Sequence, residues 1–335
     1  MAQAFRVQRT TRASRVGLGA AVLAIAALST LPFWADPASM RRLVEFIALL
    51  VLAQMWNLLA GYAGLLSIGQ QAYVGLGGYA LIVLADDLGL DPFLSVPLAG
   101  LIAALLALPT AALVFRFQGG YFAVGTWAVA EVFRLLVANT GALGRGTGRT
   151  LKAVFPLARE TREMVTYYLA LALGVAALVG IYVFLRARFG LGLMAVRDSE
   201  PASETLGVDV FRTKLIVYVL AAFGTGATGA VIYLNLLRIS PDAAFSINWT
   251  ASTIFIVVIG GIGTLEGPLV GAVVFFVLRE LLADYGSWYM ILLGSLAVSV
   301  MLAYPQGLWG LIADRWGIHC FPVQRRVEVD NTPRP

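Results

Sequence analysis

The chain has 335 residues, of which 59% are hydrophobic and 13% are charged, and its mean hydropathy is +0.83. This composition excludes a soluble protein with a single core, because so much apolar sequence could not be buried in one. The net charge of +5 does not indicate nucleic-acid binding, because basic residues of membrane proteins collect in segments held in the cytoplasm.

The apolar runs predict an all-α, polytopic bundle of transmembrane helices. They are long enough to cross a bilayer, which takes about 20 helical residues, and they lack the alternation of a barrel strand. We expect about ten segments, some broken by glycine. They lie near 17–34, 43–60, 63–85, 93–115, 120–138, 166–186, 214–235, 250–263, 268–284 and 288–304.

An even number of crossings puts both chain ends on one side. We predict an N-in/C-in arrangement with a cytoplasmic N-terminal tail over 1–16, a membrane domain over 17–304 and a cytoplasmic C-terminal tail over 305–335. Basic residues before the first segment favour this orientation. A cleaved signal peptide is the alternative, but the apolar run is long and Pro32-Phe33-Trp34 is a poor cleavage site. We therefore expect a retained first helix.

Two glycine-rich stretches interrupt apolar segments. In a bilayer, irregular backbone is tolerated only where protein or a water-filled cavity satisfies it, and paired interruptions are typical of transporters built around a substrate path. Close helix packing through small residues is the alternative for the first stretch, and a tight cytoplasmic turn is favoured for the second. The predicted helix-break residues are Gly61, Gly64, Gly75, Gly77, Gly260, Gly261 and Gly263.

Polar residues inside the segments are candidates for a substrate path. Glu131 and Arg134 are three residues apart, so they can pair with each other or line the path. Uncharged hydrogen-bonding side chains in the first glycine-rich stretch would suit a zwitterion or a neutral amide. The predicted path residues are Ser67, Gln70, Gln71, Tyr73, Glu131 and Arg134.

The sequence offers no catalytic group and no metal site. The chain has one histidine and one cysteine, His319 and Cys320, which excludes a histidine-rich or cysteine-cluster zinc site. The stretch 224–229 matches a dinucleotide-binding fingerprint, but it follows an apolar helix rather than a strand, so we expect a helix-packing face. The chain has no phosphate-binding P-loop and is therefore not expected to be an enzyme or to hydrolyse nucleotide itself.

A polar island, 197–209, separates two strongly apolar segments. We predict a short amphipathic helix at the membrane surface, with Ala202 and Leu206 on one face and Glu200 on another, ended by Gly207. Such a helix would suit a groove of a partner protein. A solvated connecting loop is the alternative.

Four patches together resemble the permease family of branched-chain amino acid ABC importers, specifically the larger of its two permeases. They are ordered along the chain and cover most of residues 50–275. The patches are Asn57–Tyr73; Tyr121-Phe122-Ala123 with Glu131 and Arg134; the polar island with Lys214; and Val258–Thr264 with Gly267-Pro268.

The resemblance implies that the island contains a coupling helix, 194–207, which docks in a groove of an ATPase subunit. Glu200, Ala202 and Gly207 match the family's core pattern there, whereas Pro201 and Gln70 depart from residues that are frequent in the family. The residues implied in ATPase coupling are Arg197, Asp198, Glu200, Ala202, Leu206 and Gly207.

The resemblance also implies partners and a location. The expected partners are two ABC ATPase subunits, which hold ATP and Mg, a second, smaller permease, a periplasmic substrate-binding protein and membrane lipid. This chain itself is expected to bind no cofactor and no nucleic acid. The expected location is the bacterial inner (cytoplasmic) membrane.

The implied function is ATP-driven import of small polar solutes, above all branched-chain amino acids, by alternating access. A urea or short-amide permease of the same family is an alternative. From another class, an ion-coupled secondary transporter would explain the broken helices but not the polar island. A membrane-embedded enzyme and a structural scaffold are less favoured, the first for lack of catalytic groups.

Overall fold

A computed structural model describes residues 5–8, 12–282, 288–304, 306–316, 321 and 326–329. These residues contain fourteen α-helices and four short strands. The helices are α1 (Arg12–Thr30), α2 (Pro37–Asn57), α3 (Gln70–Ile82), α4 (Ser95–Val114), α5 (Gly120–Asn139), α6 (Arg159–Arg186), α7 (Arg188–Asp198), α8 (Glu200–Thr205), α9 (Val210–Leu236), α10 (Pro241–Ala244), α11 (Ile247–Gly260), α12 (Gly267–Leu281), α13 (Trp288–Ala303) and α14 (Gly307–Trp316). The strands are β1 (Phe5–Gln8), β2 (Arg149–Thr150), β3 (Arg238–Ile239) and β4 (Arg326–Val329).

The all-α membrane bundle is confirmed. Among the described residues, 8 helical runs are long and apolar enough to cross a membrane. They comprise α1, α2 with the turn after it, α4, α5, α6, α9, α10 with α11, and α13 with α14. Each of the ten predicted segments overlaps a helix, but α3 and α12 have only 13 and 15 residues. The number of ten crossings and the N-in/C-in orientation stay predictions.

The centre of the bundle is α9, which packs against α2, α3 and α4. α4 turns four alanines, spaced four residues apart, into this contact, and each of them is fully buried. Small residues at these positions let two helix backbones approach closely, which is how membrane helices gain packing energy without a hydrophobic driving force. The alanines are Ala99, Ala103, Ala107 and Ala111.

The glycines of 224–229 form the other side of this packing. A Cβ added to Gly226 would lie 2.3 Å from the Cβ of Ala103, and one added to Gly229 would lie 2.2 Å from the carbonyl oxygen of Val74. The expected helix-packing face is confirmed, and the resemblance of this stretch to a dinucleotide fingerprint has no structural counterpart.

Two predicted helix breaks, at Gly75 and Gly77, are wrong. Both glycines lie inside the continuous helix α3. A Cβ on Gly77 would lie 1.9 Å from the carbonyl oxygen of Gly226 on α9. These glycines therefore allow close packing of α3 against its neighbours and do not break the helix. Close packing is the other role that small residues have in membrane helices.

A small antiparallel pair, β2 with β3, closes one end of the bundle. Arg149 of this pair forms an ion pair of 2.6 Å with Asp87, at the end of the helical run that follows α3. The Arg149 guanidinium lowers the pKa of the Asp87 carboxyl below its ordinary value. The long loop after α5 is thus anchored to α3.

Strands β1 and β4, which come from opposite ends of the chain, pair antiparallel. α14, which belongs to the predicted C-terminal tail, packs against α11 and α12. His319 and Cys320 lie outside the described residues, and the domain boundaries at 16 and 304 stay predictions.

Candidate functional site

The first break lies between α2 and α3. α2 ends in a five-residue π-helical turn, Leu58–Tyr62, and Gly64 then adopts a φ of +70°, in the left-handed region that favours glycine. The chain continues without helix as far as Gly69. Residues 64–69, predicted as part of a helical segment over 63–85, are therefore not helical. Gly61 and Gly64 are at a break, as predicted.

The second break is a tight turn between α11 and α12. α11 ends at Gly260, and Gly261 and Gly263 follow with φ values of +130° and +76°. Pro268 occupies an early position of α12, where its missing N–H costs no helical hydrogen bond. The predicted turn is confirmed, whereas the side of the membrane on which it lies stays a prediction.

The structure brings the two breaks together, which the sequence did not predict. The fully buried side chain of Asn57 donates to the carbonyl oxygen of Thr264 and accepts from the backbone N–H of Gly263, both at 2.8 Å. A Cβ on Gly61 would lie 2.6 Å from the backbone nitrogen of Gly263. We call the first break, the second break and Asn57 the break junction.

The polar island is not one helix. α7 ends at Asp198, Ser199 is extended, and α8 begins at Glu200. Pro201 explains the interruption, because it has no N–H for the carbonyl of Arg197 and its ring would clash with that group. The Ser199 hydroxyl accepts from the N–H of Ala202 and caps the new helix. The prediction of a single helix over 194–207 is corrected in this respect.

The segment formed by α8 and the residue directly after it, Leu206, presents apolar side chains away from the bundle. Leu206 is 78% exposed and Ala202 is exposed as well, whereas Ser203 is buried against the bundle. Glu200 forms an ion pair of 2.6 Å with Lys214 of α9, which fixes α8 to the membrane domain. Gly207 ends the segment with a φ of +81°, again in the left-handed region.

Arg197 connects the island to the break junction. Its Nη1 donates to the carbonyl oxygen of Gly61 at 3.0 Å, while its Nε donates to Asp198 at 3.0 Å. The Gly61 carbonyl belongs to the π-helical turn of the first break. Arg197 thus joins α7 to the turn that separates α2 from α3.

Four of the predicted path residues form a buried polar cluster at the start of α3. Ser67, Gln70, Gln71 and Tyr73 are each at most 4% exposed. The side chains of Gln70, Gln71 and Tyr73 bond to other helices of the same chain, whereas that of Ser67 bonds locally. The Gln70 side chain accepts a hydrogen bond from the Thr225 hydroxyl at 2.8 Å, and the Gln71 side chain accepts one from the Thr250 hydroxyl. The Tyr73 hydroxyl contacts the hydroxyls of Thr110 at 2.8 Å and Tyr218 at 2.9 Å. The Ser67 hydroxyl accepts from the backbone N–H of Gly69 at 3.2 Å.

Sequence reasoning missed the partners of this cluster. Thr110, Thr225 and Thr250 lie on three different helices within apolar runs. Threonine in a membrane helix commonly bonds its own backbone, as Thr110 also does to the carbonyl of Ala107. The sequence carries no signal that sets these threonines apart, because their meeting depends on tertiary packing.

Glu131 and Arg134 lie elsewhere. They form the predicted ion pair, at 2.6 Å, and Arg134 forms a second one with Asp242 at 2.6 Å. Glu131 is half-exposed, on a part of α5 away from the buried residues Thr126 and Ala130. Among the described residues their partners are each other and Asp242, so the structure does not join them to the α3 cluster.

Comparison with known proteins assigns the family. The family described as "Branched-chain amino acid transport system / permease component" matches residues 39–304. The chain is 29% identical to the LivM high-affinity branched-chain amino acid transport system permease of Salmonella typhimurium, over 83% of this chain and 71% of that protein. It is 28% identical to the LivM permease of Escherichia coli K12, over 82% and 76%.

A related permease of another name is also similar. The probable branched-chain amino acid transport permease LivH of Methanocaldococcus jannaschii is 22% identical, over 73% of this chain and 83% of that protein. Together with the family match over residues 39–304 and the multi-pass helical bundle, these likenesses fix the assignment. The chain belongs to the family of permease components of branched-chain amino acid transport systems.

Proposed function

We propose that the chain is the transmembrane permease subunit of an ATP-driven importer and that it works by alternating access. The hydrogen bond from Arg197 to the Gly61 carbonyl is the main support. An importer driven by a separate ATPase needs a cytoplasmic element that a partner can grip and a connection from that element to the membrane path. α8, with the exposed Leu206 directly after it, would supply the first, and Arg197 would supply the second.

In this mechanism, ATP binding and hydrolysis on the partner subunits displace α7 and α8. Arg197 transmits the displacement to Gly61, and Asn57 transmits it onward to the second break. The resulting rearrangement shifts the helices around the break junction between two states. A substrate biases such an equilibrium only if it binds the two states with different affinity.

The proposed substrates are branched-chain amino acids. The family and the named functions of the relatives support this class. The polar cluster at the start of α3 carries amide and hydroxyl groups without a fixed charge, which are buried and bonded within the chain in this structure. In the proposed mechanism, alternating access would expose them to the ammonium and carboxylate of a zwitterion. The same chemistry would accept urea or a short amide, which is the alternative within the family.

The proposed assembly contains two ABC ATPase subunits, a second, smaller permease and a periplasmic substrate-binding protein, in the bacterial inner membrane. ATP and Mg would be held by the ATPase subunits. The similarity to permeases named both LivM and LivH supports a pair of permeases.

Transport by the purified complex in proteoliposomes tests the proposal. With substrate-binding protein outside and ATP inside on the ATPase side, uptake of labelled leucine should require ATP and survive ionophores. Uptake that continues without ATP and stops when ion gradients are collapsed would establish an ion-coupled secondary transporter instead.

A further inference from the structure

Two buried tyrosine hydroxyls near the C-terminal ends of α3 and α9 have no hydrogen-bond partner among the described residues. They belong to Tyr79, which is 3% exposed, and Tyr233, which is 2% exposed. The indole of Trp249 lies beside Tyr233, but its N–H donates to the carbonyl of Ala243 at 2.9 Å. A buried donor without a partner is costly and rare in folded proteins, so two such groups call for an explanation.

The two hydroxyls lie in one place. A Cβ on Gly78, the residue before Tyr79, would collide with the ring of Tyr233. The two hydroxyls are also close enough to interact electrostatically. We call Tyr79 and Tyr233 the tyrosine pair. α9 begins beside the polar island and ends at β3, so the tyrosine pair lies towards the end of the bundle opposite the island.

Phe245 covers the tyrosine pair. Its ring stacks on that of Tyr79, with the centroids 6.2 Å apart, and a Cβ on Gly75 would lie 2.5 Å from the same ring. Phe245 directly follows the short helix α10, which an ion pair of 2.6 Å between Asp242 and Arg134 joins to α5. Because Asp242 is 80% exposed, this ion pair contributes little to holding the cover closed.

We propose that the tyrosine pair is a substrate subsite, closed by Phe245, that binds the carboxylate of an amino acid. Phenol hydroxyls donate and a carboxylate accepts, and hydrogen bonds to a charged acceptor are the stronger ones. Movement of Phe245 would give both hydroxyls the partners that they lack in the closed arrangement. This inference rests on the proposed function, which supplies both the amino acid and the movement.

The surroundings of the tyrosine pair fit the rest of such a substrate. The ring of Phe245 and the side chain of Ile239, which packs on Gly78, offer apolar contacts for a branched aliphatic side chain. The carboxylate of Asp242, which interacts with Tyr79, is paired with Arg134 and so repels the carboxylate of a substrate less.

Removing each hydroxyl alone tests the subsite. In Tyr79→Phe and Tyr233→Phe, the midpoint of thermal unfolding should stay the same or rise, because a hydroxyl without a partner is lost. The initial rate of ATP-driven leucine uptake, with leucine-loaded binding protein in excess, should fall about tenfold or more.

Tyr167→Phe on α6 is the matched control. Its hydroxyl donates to the carbonyl of Leu28 at 2.8 Å, so this variant should lower the unfolding midpoint and keep the uptake rate. Unchanged uptake by both variants of the tyrosine pair would overturn the subsite. A lowered midpoint in either of them would also overturn it, because it would show that the hydroxyl has a structural partner.

Photolabelling during transport gives an independent readout. A diazirine analogue of leucine would be irradiated while the complex hydrolyses ATP, and the labelled peptides identified by mass spectrometry. We expect adducts at Tyr79, Tyr233 or Phe245 that excess leucine suppresses, and adducts confined to other parts of the chain would overturn the subsite. Uptake by the unchanged protein that needs no ATP would overturn the proposed function, whereas ATP-driven uptake without these adducts overturns only the subsite.

Discussion

Arg197 makes the contact through which the proposed coupling would act. A hydrogen bond from a charged donor is worth about 1.5–3 kcal/mol, which is enough to bias a two-state equilibrium by an order of magnitude. The bond to the Gly61 carbonyl is only partly shielded, because the Arg197 side chain is 33% exposed. In the proposed coupling, it would stabilise one state and break in the other.

Arg197→Met should abolish ATP-dependent uptake while leaving assembly and basal ATP hydrolysis in place. The variant keeps the length of the apolar stem but removes the donors to Gly61 and Asp198. Uptake and ATPase activity are measured on the same preparation. Arg212→Met is the matched control, since Arg212 is 81% exposed and pairs with Asp209. Uptake by Arg197→Met at the control's rate would contradict the proposed coupling.

Gly77→Ala should destabilise the bundle by at least about 1–3 kcal/mol, because the new Cβ would overpack the contact with the Gly226 carbonyl. The midpoint of thermal unfolding in detergent measures the loss. Gly180→Ala on α6 is the control, since an added Cβ there meets nothing within 4 Å. We expect no loss at Gly180, because alanine has the higher helix propensity. Equal midpoints for the two variants would exclude tight packing at Gly77.

At the scale of secondary structure, the island is a pair of short helices separated by the extended residue Ser199. The proposed coupling requires the two helices to move together, since α8 carries the partner contact and α7 carries Arg197. Gly207 ends α8 with a positive φ that tryptophan adopts only with strain, and a side chain there would point into open space.

Gly207→Trp, or deletion of residues 198–206, should therefore abolish the coupling of ATP hydrolysis to uptake but leave membrane insertion unchanged. Insertion is measured by membrane fractionation and coupling by substrate-stimulated ATPase activity. Gly146→Trp is a control in a loop at the β2–β3 end, where an added Cβ also meets nothing within 4 Å. Normal uptake by the Gly207 variant would refute the role of α8.

The anchor between Asp87 and Arg149 should make stability depend on pH. In the folded protein, the pKa of Asp87 lies below its ordinary value of 3.8. The ion pair with Arg149 therefore stabilises the fold at pH values above 3.8, and this stabilisation is lost as the pH falls and the carboxyl is protonated. The unfolding midpoint of Asp87→Asn should lie below that of the unchanged protein at pH 7, and the gap should narrow towards pH 3. A gap that stays constant over this range would show that the anchor carries no such linkage.

At the scale of the whole molecule, the sequence predicted what depends on local pattern. Long apolar runs determine membrane helices, since a bilayer admits few other structures. The glycine-rich turn at 260–267 was predictable because glycine and proline act locally. The roles of Gly75 and Gly77 were not, because a packing glycine and a breaking glycine look alike until the neighbouring helix is known.

The candidate site depended still more on tertiary contacts. Asn57 and Gly263 are far apart in sequence, and their hydrogen bond exists only because α2 packs beside α11 and α12. The resemblance of the polar island to a coupling helix identified the segment, but only the structure showed that Arg197 reaches Gly61. Likewise, the threonines that hold the α3 cluster gave no signal in the sequence.

The most direct test of the central claim is affinity purification of this chain from native membranes, with identification of the proteins that accompany it. The proposed importer predicts one or two P-loop ATPases and a second permease in the purified complex. Recovery of this chain alone, with uptake that is insensitive to ATP depletion but sensitive to ion gradients, would contradict the proposal and favour an ion-coupled secondary transporter.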